Sequence, residues 1–206
     1  MISKDWCTLL KACYNQDVLV GLKKCLIRPL EDIGFLRTAS GGRSMAGNES
    51  QLTDWISQLD SSDGEIRQSA RHQLVQAGSD AVPALINALD HSSETMRWEA
   101  AKTLGEIRDP AAVEPLIEIL ADDDSVRFVA ASALIGMSND SVPAILRALI
   151  TEPARFRDGG CFVLHHLASD DEKLREPLTP VVEALMSLDS SLLVPVESEK
   201  ALSKLR

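Results

Sequence analysis

The chain has 206 residues, of which 45% are hydrophobic and 4% aromatic, enough apolar material for one domain core or a short array of stacked units. It has no run of 18 apolar residues and no usable secretory signal, because Lys4, Asp5, Lys11 and Asp17 interrupt its first apolar stretches. We therefore expect no membrane span and no membrane partner. The formal net charge of −10 opposes binding to nucleic acid, where affinity depends largely on neutralising phosphates.

The first 44 residues differ in charge from the rest of the chain. They contain seven Lys and Arg and four Asp and Glu, a net charge of +3, whereas residues 45–206 contain 14 and 27, a net charge of −13. The segment "TASGGRSMAGNES", which begins at residue 38, has the Gly, Ser and Asn content of a linker. We predict an N-terminal extension or cap with a linker at 1–44 and a repeat domain at 45–206. Residues 1–37 either cap the first repeat or form an appendage of different origin.

Cysteine usage is typical of a reducing compartment. The four cysteines, Cys7, Cys13, Cys25 and Cys161, form no CxxC pair, so they give no zinc-site pattern. Free thiols in the cytoplasm are the simplest interpretation. We therefore predict a cytoplasmic protein without a bound metal or other cofactor.

Four segments align without gaps at a constant step of 30 residues: "EIRQSARHQLVQA", "TMRWEAAKTLGEI", "SVRFVAASALIGM" and "RFRDGGCFVLHHL". The alignment places an arginine, a small residue and a leucine in three columns. The arginines are Arg67, Arg97, Arg127 and Arg157; the small residues are Ala70, Ala100, Ala130 and Gly160; the leucines are Leu74, Leu104, Leu134 and Leu164. Such self-similarity is the mark of a repeat protein.

A second apolar helix pattern precedes each of these segments: "LTDWISQLD", "AVPALINALD", "AVEPLIEILAD" and "SVPAILRALI". Short polar turns such as "DSSDGE" and "DHSSET" separate the two patterns and supply Ser and Asp as caps for the second helix. Pro83, Pro115 and Pro143 are expected in the first turn of their helices, where a missing N–H costs little. The unit is therefore helix–turn–helix.

A degenerate fifth copy follows, with "LTPVVEALMSLD" as its first helix and "VPVESEKALSKLR" as its second. Its alignment puts Pro195 in the arginine column, which is typical of a terminal repeat that closes a stack. Because one helix pair cannot bury its apolar face alone, the pairs must stack. We predict an all-α fold, a right-handed armadillo/HEAT-type α-solenoid of about five helix pairs.

The repeat resembles HEAT repeats, in particular the short HEAT-like class named for phycobilisome bilin lyases. Residues 97–120, "RWEAAKTLGEIRDPAAVEPLIEIL", match that pattern almost throughout, and the resemblance covers residues 52–206. It implies the solenoid fold. It implies no single activity, because the same repeat serves lyases, scaffolds, adaptors and hydroxylases.

The arginine column has a structural and a functional interpretation. Arg97 falls at the edge of the predicted buried face, where its stem can follow the core and its guanidinium can reach a turn. In HEAT repeats this column pairs with turn carbonyls and acids, and Asp63 and Asp123 lie four residues before Arg67 and Arg127. We predict a structural role rather than a ladder of phosphate-binding sites.

The candidates for catalysis and metal binding are weak. HEAT-like hydroxylases carry His-Glu pairs at the two positions after the repeat arginine, and here those positions hold Gln68-Ser69, Trp98-Glu99, Phe128-Val129 and Asp158-Gly159. The neighbours His165 and His166 point about 100° apart on a helix, which does not favour one shared metal. We predict that the protein is not an enzyme. The main alternative is a bilin lyase or other tetrapyrrole-handling protein of the phycobilisome-lyase class.

Four apolar side chains, which we call the apolar row, fall outside the predicted core. On a wheel of about 100° per residue, Trp98 lies about 200° from Met96, nearly opposite the buried face. The second helices of a HEAT stack line its concave side, and exposed aromatics there mark partner sites. We predict that a protein or peptide partner binds this surface; the alternative is that curvature or residues 1–37 bury it. The predicted site comprises the apolar row, Trp98, Phe128, Ile135 and Phe162, together with Lys102.

Overall fold

The structure, a computed structural model, describes residues 45–187 and 190–205. These residues form α-helices and short 3-10 helices and no strand. The α-helices are α1 Met45–Gln58, α2 Gly64–Ala77, α3 Val82–Ala88, α4 Glu94–Ile107, α5 Val113–Glu118, α6 Asp124–Gly136, α7 Ser138–Thr151, α8 Arg157–Asp170, α9 Glu172–Met186 and α10 Ser190–Lys204. The 3-10 helices are Gly78–Ala81, Pro110–Ala112 and Ile119–Ala121. The predicted division at residue 44 and the role of residues 1–37 involve residues outside those described.

Polar side chains in the turns begin the second helices, as the sequence predicts. Asp63 caps α2 by accepting the backbone N–H of Glu65 at 2.8 Å, and Ser93 caps α4 by accepting that of Met96 at 3.4 Å. These caps satisfy donors that the first turn of a helix leaves unpaired. The turns before α2 and α4 therefore fix where those helices begin, whereas Asp123 and Phe156, at the same position before α6 and α8, make no side-chain capping bond.

The small and leucine columns form the core between the helices. Leu74, Leu104, Leu134 and Leu164 have no exposed surface, and Ala100 and Ala130 are equally buried. The small residues allow neighbouring helices to approach closely. Gly105 shows the closest approach, because a Cβ built there would lie 2.6 Å from the Cβ of Ala133 on the next second helix.

The helix pairs stack in two layers. The second helices α2, α4, α6 and α8 pack in that order, each on the next, while α1 packs on α3 and α5 on α7. The described residues therefore confirm the predicted all-α solenoid of about five helix pairs.

In the last helix pair, the first and second helices lie in each other's layers. Helix α9 packs along α8, and α10 packs along both α7 and α9. Thus α9 extends the layer of second helices and α10 extends the layer of first helices. Arg157 at the start of α8 joins this arrangement, because its guanidinium donates to the carbonyls of Leu185 and Ser187 at the end of α9, each at 2.9 Å.

Two local expectations are wrong. Pro143 lies inside α7, not in its first turn, because α7 begins at Ser138; Pro83 does lie at the start of α3. The second half of the expected linker, from Met45 onward, belongs to α1. No helix among the described residues is long and apolar enough to cross a membrane.

Candidate partner-binding surface

The predicted partner-binding residues lie on three consecutive second helices. Trp98 and Lys102 belong to α4, Phe128 and Ile135 to α6, and Phe162 to α8. All five side chains are partly exposed and none is fully exposed. We call the side of α4, α6 and α8 that carries them the second-helix face.

Aromatic rings join α6 to α8 on this face. The ring centroids of Phe128 and Phe162 are 5.7 Å apart, with the planes tilted by 57°. His166, one turn after Phe162, approaches its ring edge-on at 6.5 Å. Tilted pairs of this kind stabilise by about 0.5–1.5 kcal/mol beyond the area they bury. The three rings form a partly exposed aromatic cluster across α6 and α8.

Trp98 carries a cation on its ring. The Nζ of Lys102, one turn later on α4, lies 4.8 Å from the ring centroid, within the range of a cation–π interaction. Burial lowers the pKa of Lys102, and the positive charge of Arg71 lowers it further, while Glu99 and Glu106 oppose the shift. The ammonium therefore sits where its charge is incompletely solvated.

A buried ionic network that the sequence analysis did not identify lies beside this pair. Glu99, which is 4% exposed, accepts the Nε of Arg67 at 3.1 Å and the Nη1 of Arg71 at 2.5 Å. The Nε of Arg71 also lies 3.3 Å from a carboxylate oxygen of Glu106. Both oxygens of Glu99 are thus occupied by arginines of the preceding repeat. The available signal in the sequence was an acid directly before Ala100 and Ala101, two small residues of α4.

The repeat arginines contact turns and acids. Arg67 donates to the carbonyl of Ser61 at 2.8 Å, and Arg127 donates to that of Asp122 at 2.9 Å. Arg97 donates to the carboxylate of Asp122 through Nε at 2.7 Å and Nη2 at 3.2 Å. Hydrogen bonding to Asp122 raises the pKa of Arg97. These contacts, with those of Arg157 at the end of α9, support the structural role, which stays a prediction until the arginines are replaced.

The acids four residues before the arginines have other partners. Asp63 caps α2, and Asp123 approaches Arg97 of the preceding repeat at 3.3 Å. Arg127 pairs instead with Asp124 at 3.1 Å. The Nε of Arg127 is buried without a hydrogen-bond partner. A separation of four residues in the sequence therefore did not predict which acid each arginine contacts.

The most exposed large apolar side chains of the described residues lie elsewhere, at the beginning of α10. Leu192 is 77% exposed, Val196 48% and Leu193 44%. The predicted second helix of the terminal repeat, "VPVESEKALSKLR", begins at Val194, so it includes Val196 but not Leu192 or Leu193, and none of the three was a predicted site residue. The "SLLVPV" run was the available signal. These three residues form a second exposed apolar surface, on a helix that packs against α7 and α9.

The two adjacent histidines of α8 are both partly exposed. Burial lowers the pKa of His165, and the neighbouring His166 lowers it further. The Nδ1 of His166 lies 3.1 Å from a carboxylate oxygen of Asp170 without hydrogen-bond geometry. Within the described ranges, no group of three or more His, Cys, Asp or Glu side chains is placed to hold a metal ion.

Comparison with known families identifies the repeat. A family profile for HEAT repeats matches residues 52–135. A complex of CpcE and CpcF of phycocyanin lyase from Nostoc sp. PCC7120 is similar in structure, with a TM-score of 0.50 and 25% identity over 74% of this chain and 98% of that chain. Together with the helix stacking, these matches confirm that the chain carries HEAT-like repeats.

Curated relatives share part of the repeat array. Deoxyhypusine hydroxylase of Rattus norvegicus is 33% identical over 79 residues, and that of Drosophila pseudoobscura pseudoobscura is 34% identical over 79 residues. Each match covers 37% of this chain and 26% of the relative. The chain thus spans about a quarter of the length of the curated relatives it matches.

The prediction that the protein is not an enzyme is wrong. Both curated relatives are named as an enzyme, deoxyhypusine hydroxylase, and the matching solved complex is that of a lyase. The reason for the error is physical: the absence of a recognisable catalytic pattern in one repeat array does not separate enzymes from scaffolds that share its fold.

Proposed function

We propose that this chain of HEAT-like repeats is a scaffold that binds a protein or peptide partner on its second-helix face. The observation that carries the proposal is the apolar row: Trp98, Phe128 and Phe162 stand partly exposed on three consecutive helices. The buried sides of those helices are already filled by the leucine column. The aromatic side chains are therefore not needed to fill the core.

Rigid aromatic side chains are suited to binding because they contribute large contact area at little cost in conformational entropy. Here the ring pair of Phe128 and Phe162 and the stacking of Lys102 on Trp98 hold the side chains in place before a partner arrives. Preorganisation of this kind lowers the entropy lost on association. The cytoplasm is the compartment in which we propose that this occurs.

A protein partner also fits the solved relative, which is a complex of two proteins, CpcE and CpcF. This match favours a second candidate function: a subunit of a bilin-lyase assembly that handles a tetrapyrrole. In that case the partner would be another subunit of an enzyme, and this chain would be the scaffold subunit of the same enzyme. The observation behind this candidate is coverage of 98% of the matched chain at 25% identity.

Affinity capture from the native host, followed by reconstitution with the purified partner, tests the first candidate. Trp98→Ala and Phe162→Ala should each weaken the reconstituted complex roughly thirtyfold, the effect of losing an interface hot spot. Leu192→Ser, which alters the exposed surface of α10, is the control and should bind like the wild type. Denaturant titration must show that each variant is folded under the binding conditions.

The opposite pattern would refute the proposal. If Leu192→Ser abolishes binding while Trp98→Ala and Phe162→Ala leave it intact, the partner docks on α10. Incubation of the purified protein with phycocyanobilin tests the second candidate. A bound bilin with a shifted absorbance band supports it, and an unchanged spectrum with or without the captured partner opposes it.

A further inference from the structure

Lys102 differs from the other cations of the described residues. Its ammonium is partly covered, has no carboxylate within 4.0 Å and makes no hydrogen bond among the described residues. Each repeat arginine, by contrast, donates to a turn carbonyl or an acid. A partly buried charge without an ionic partner carries a desolvation cost that a ligand can offset.

The neighbouring charges leave Lys102 uncompensated. The acids that act on it are Glu99 and Glu106, and both are engaged by arginines: Glu99 by Arg67 and Arg71, and Glu106 by Arg71. Two arginines therefore balance two glutamates, and the charge of Lys102 remains. Arg67, Arg71, Lys102, Glu99 and Glu106 together carry a net charge of +1, although residues 45–206 are acidic as a whole.

We propose that Lys102, stacked on Trp98, is an anion subsite that receives a carboxylate of the bound partner, whose neighbouring apolar side chain rests on the Phe128–Phe162 pair. This inference deepens the proposed function and rests on it. The partner is then an acidic segment that carries Asp or Glu close to an aromatic or aliphatic residue, rather than a basic or neutral one.

The spacing of the helices suits such a segment. Trp98 and Phe128 occupy equivalent positions on α4 and α6, which pack closely at Gly105 and Ala133, so the subsites lie about one helix-packing distance of 8–10 Å apart. Residues i and i+2 of an extended peptide face the same side and are separated by about 7 Å. An acidic residue followed two positions later by an apolar one can span both subsites.

The indole ring of Trp98 positions the ammonium of Lys102 in the proposed subsite. The ring face holds the ammonium through cation–π attraction without neutralising it, so the charge stays available. The depressed pKa of Lys102 is consistent with a cation that lacks a counter-ion. A carboxylate that binds there would stabilise the charged form of Lys102 and so oppose the lowering of its pKa.

Titration of the full-length, 15N-labelled protein with matched peptides tests the proposal. The probes are acetyl-Gly-Asp-Gly-Phe-Gly-amide and its counterparts with Asn or Lys in place of Asp. The readout is the indole N–H resonance of Trp98, assigned with Trp98→Phe. At low ionic strength the Asp peptide should bind roughly fivefold more tightly than the Asn peptide, as for a partly screened ion pair, and the Lys peptide should bind weakest.

Substitution of the lysine gives the decisive comparison. Lys102→Met keeps the apolar stem and should abolish the Asp-over-Asn preference, while Lys102→Arg should retain it. Lys173→Met removes the same charge from an exposed position on α9 and should leave the preference unchanged. Thermal melting of each variant confirms that it is folded.

Three results would overturn the anion subsite: equal affinities for the Asp and Asn peptides in the wild type, an unchanged preference in Lys102→Met, or no shift of the Trp98 resonance with any peptide. Equal binding of both peptides on α4, α6 and α8 would reject the subsite and leave the proposed binding face standing. Conversely, the peptides could bind in a Lys102-dependent way while Trp98→Ala and Phe162→Ala leave capture of the partner unchanged. That pair of results would reject the proposed function alone.

Discussion

Replacing Arg97 with alanine should destabilise the repeat domain by about 2 kcal/mol. Its guanidinium holds Asp122 through two atoms, at 2.7 and 3.2 Å, and so ties α4 to the turn before α6. The two side chains are only 15% and 20% exposed. A hydrogen bond between charged groups contributes about 1.5–3 kcal/mol when water cannot replace it.

The other contacts of Arg97 add little to that figure. Its bonds to the carbonyls of His91 and Ser92, at 3.0 and 3.3 Å, lie where water can take over. Asp122 keeps one bond after the substitution, because it also accepts the backbone N–H of Asp123 at 2.7 Å. For a domain of this size, about 2 kcal/mol corresponds to a fall in melting temperature of roughly 4–8 °C.

The matched control is Arg155→Ala, which also removes a contact between repeats. Arg155 meets Glu118 at 2.7 Å, but the two side chains are 43% and 58% exposed, so the loss should be below about 0.5 kcal/mol. Urea titration monitored by circular dichroism measures both variants. Equal stabilities of Arg97→Ala and the wild type, with loss of partner binding in the variant, would refute the structural role of the arginine column.

Three further predictions concern packing, pH and the domain boundary. Gly105→Ala should cost about 1–3 kcal/mol in a denaturant titration, because its Cβ would meet that of Ala133 at 2.6 Å, and the double variant with Ala133→Gly should recover much of that loss. His165 has a lowered pKa in the folded state because of burial and His166, so its contribution is complete above its unfolded pKa of about 6.5 and is lost as the pH falls through the folded pKa. The wild type should therefore lose more thermal stability than His165→Gln between pH 7 and 5, and parallel profiles would contradict this. If residues 1–44 are an appendage, a protein that starts at Met45 should melt at the same temperature as the full chain; a fall of many degrees would identify them as a cap.

Much of the fold was predictable from sequence because a constant step of 30 residues repeats the same physical constraints. Leu104 and Leu134 recur at one position of one helix type, and both are fully buried. Short polar turns predicted the caps at Asp63 and Ser93 for the same reason. Local pattern and tertiary structure agree wherever each repeat meets a neighbour like itself.

Features that depend on distant partners were not predictable. Glu99 is buried because Arg67 and Arg71 lie 32 and 28 residues before it in the chain and meet it only after the repeats stack. The exchanged order of α9 and α10 depends on how the last pair packs against α7 and α8, which no periodicity specifies. Leu192, which is 77% exposed, lies between the two helix patterns from which the fifth repeat was predicted.

For the candidate site, the sequence indicated which residues lie outside the core but not how far they are covered. Trp98 was placed opposite the buried face, and the structure leaves it partly exposed beneath Lys102. The ring pair of Phe128 and Phe162 arises from contact between α6 and α8. Helical position alone does not report such contacts, because they depend on the distance between neighbouring helices.

Photo-crosslinking tests the binding surface most directly. The photoreactive residue p-benzoyl-phenylalanine replaces Phe162 in one protein and Leu192 in another, so that one probe lies on the second-helix face and the other on the exposed surface of α10. After irradiation with the purified partner, the adducts are separated and identified by mass spectrometry. Binding on the second-helix face predicts a covalent adduct from position 162 and none from position 192. An adduct from position 192 alone would contradict it.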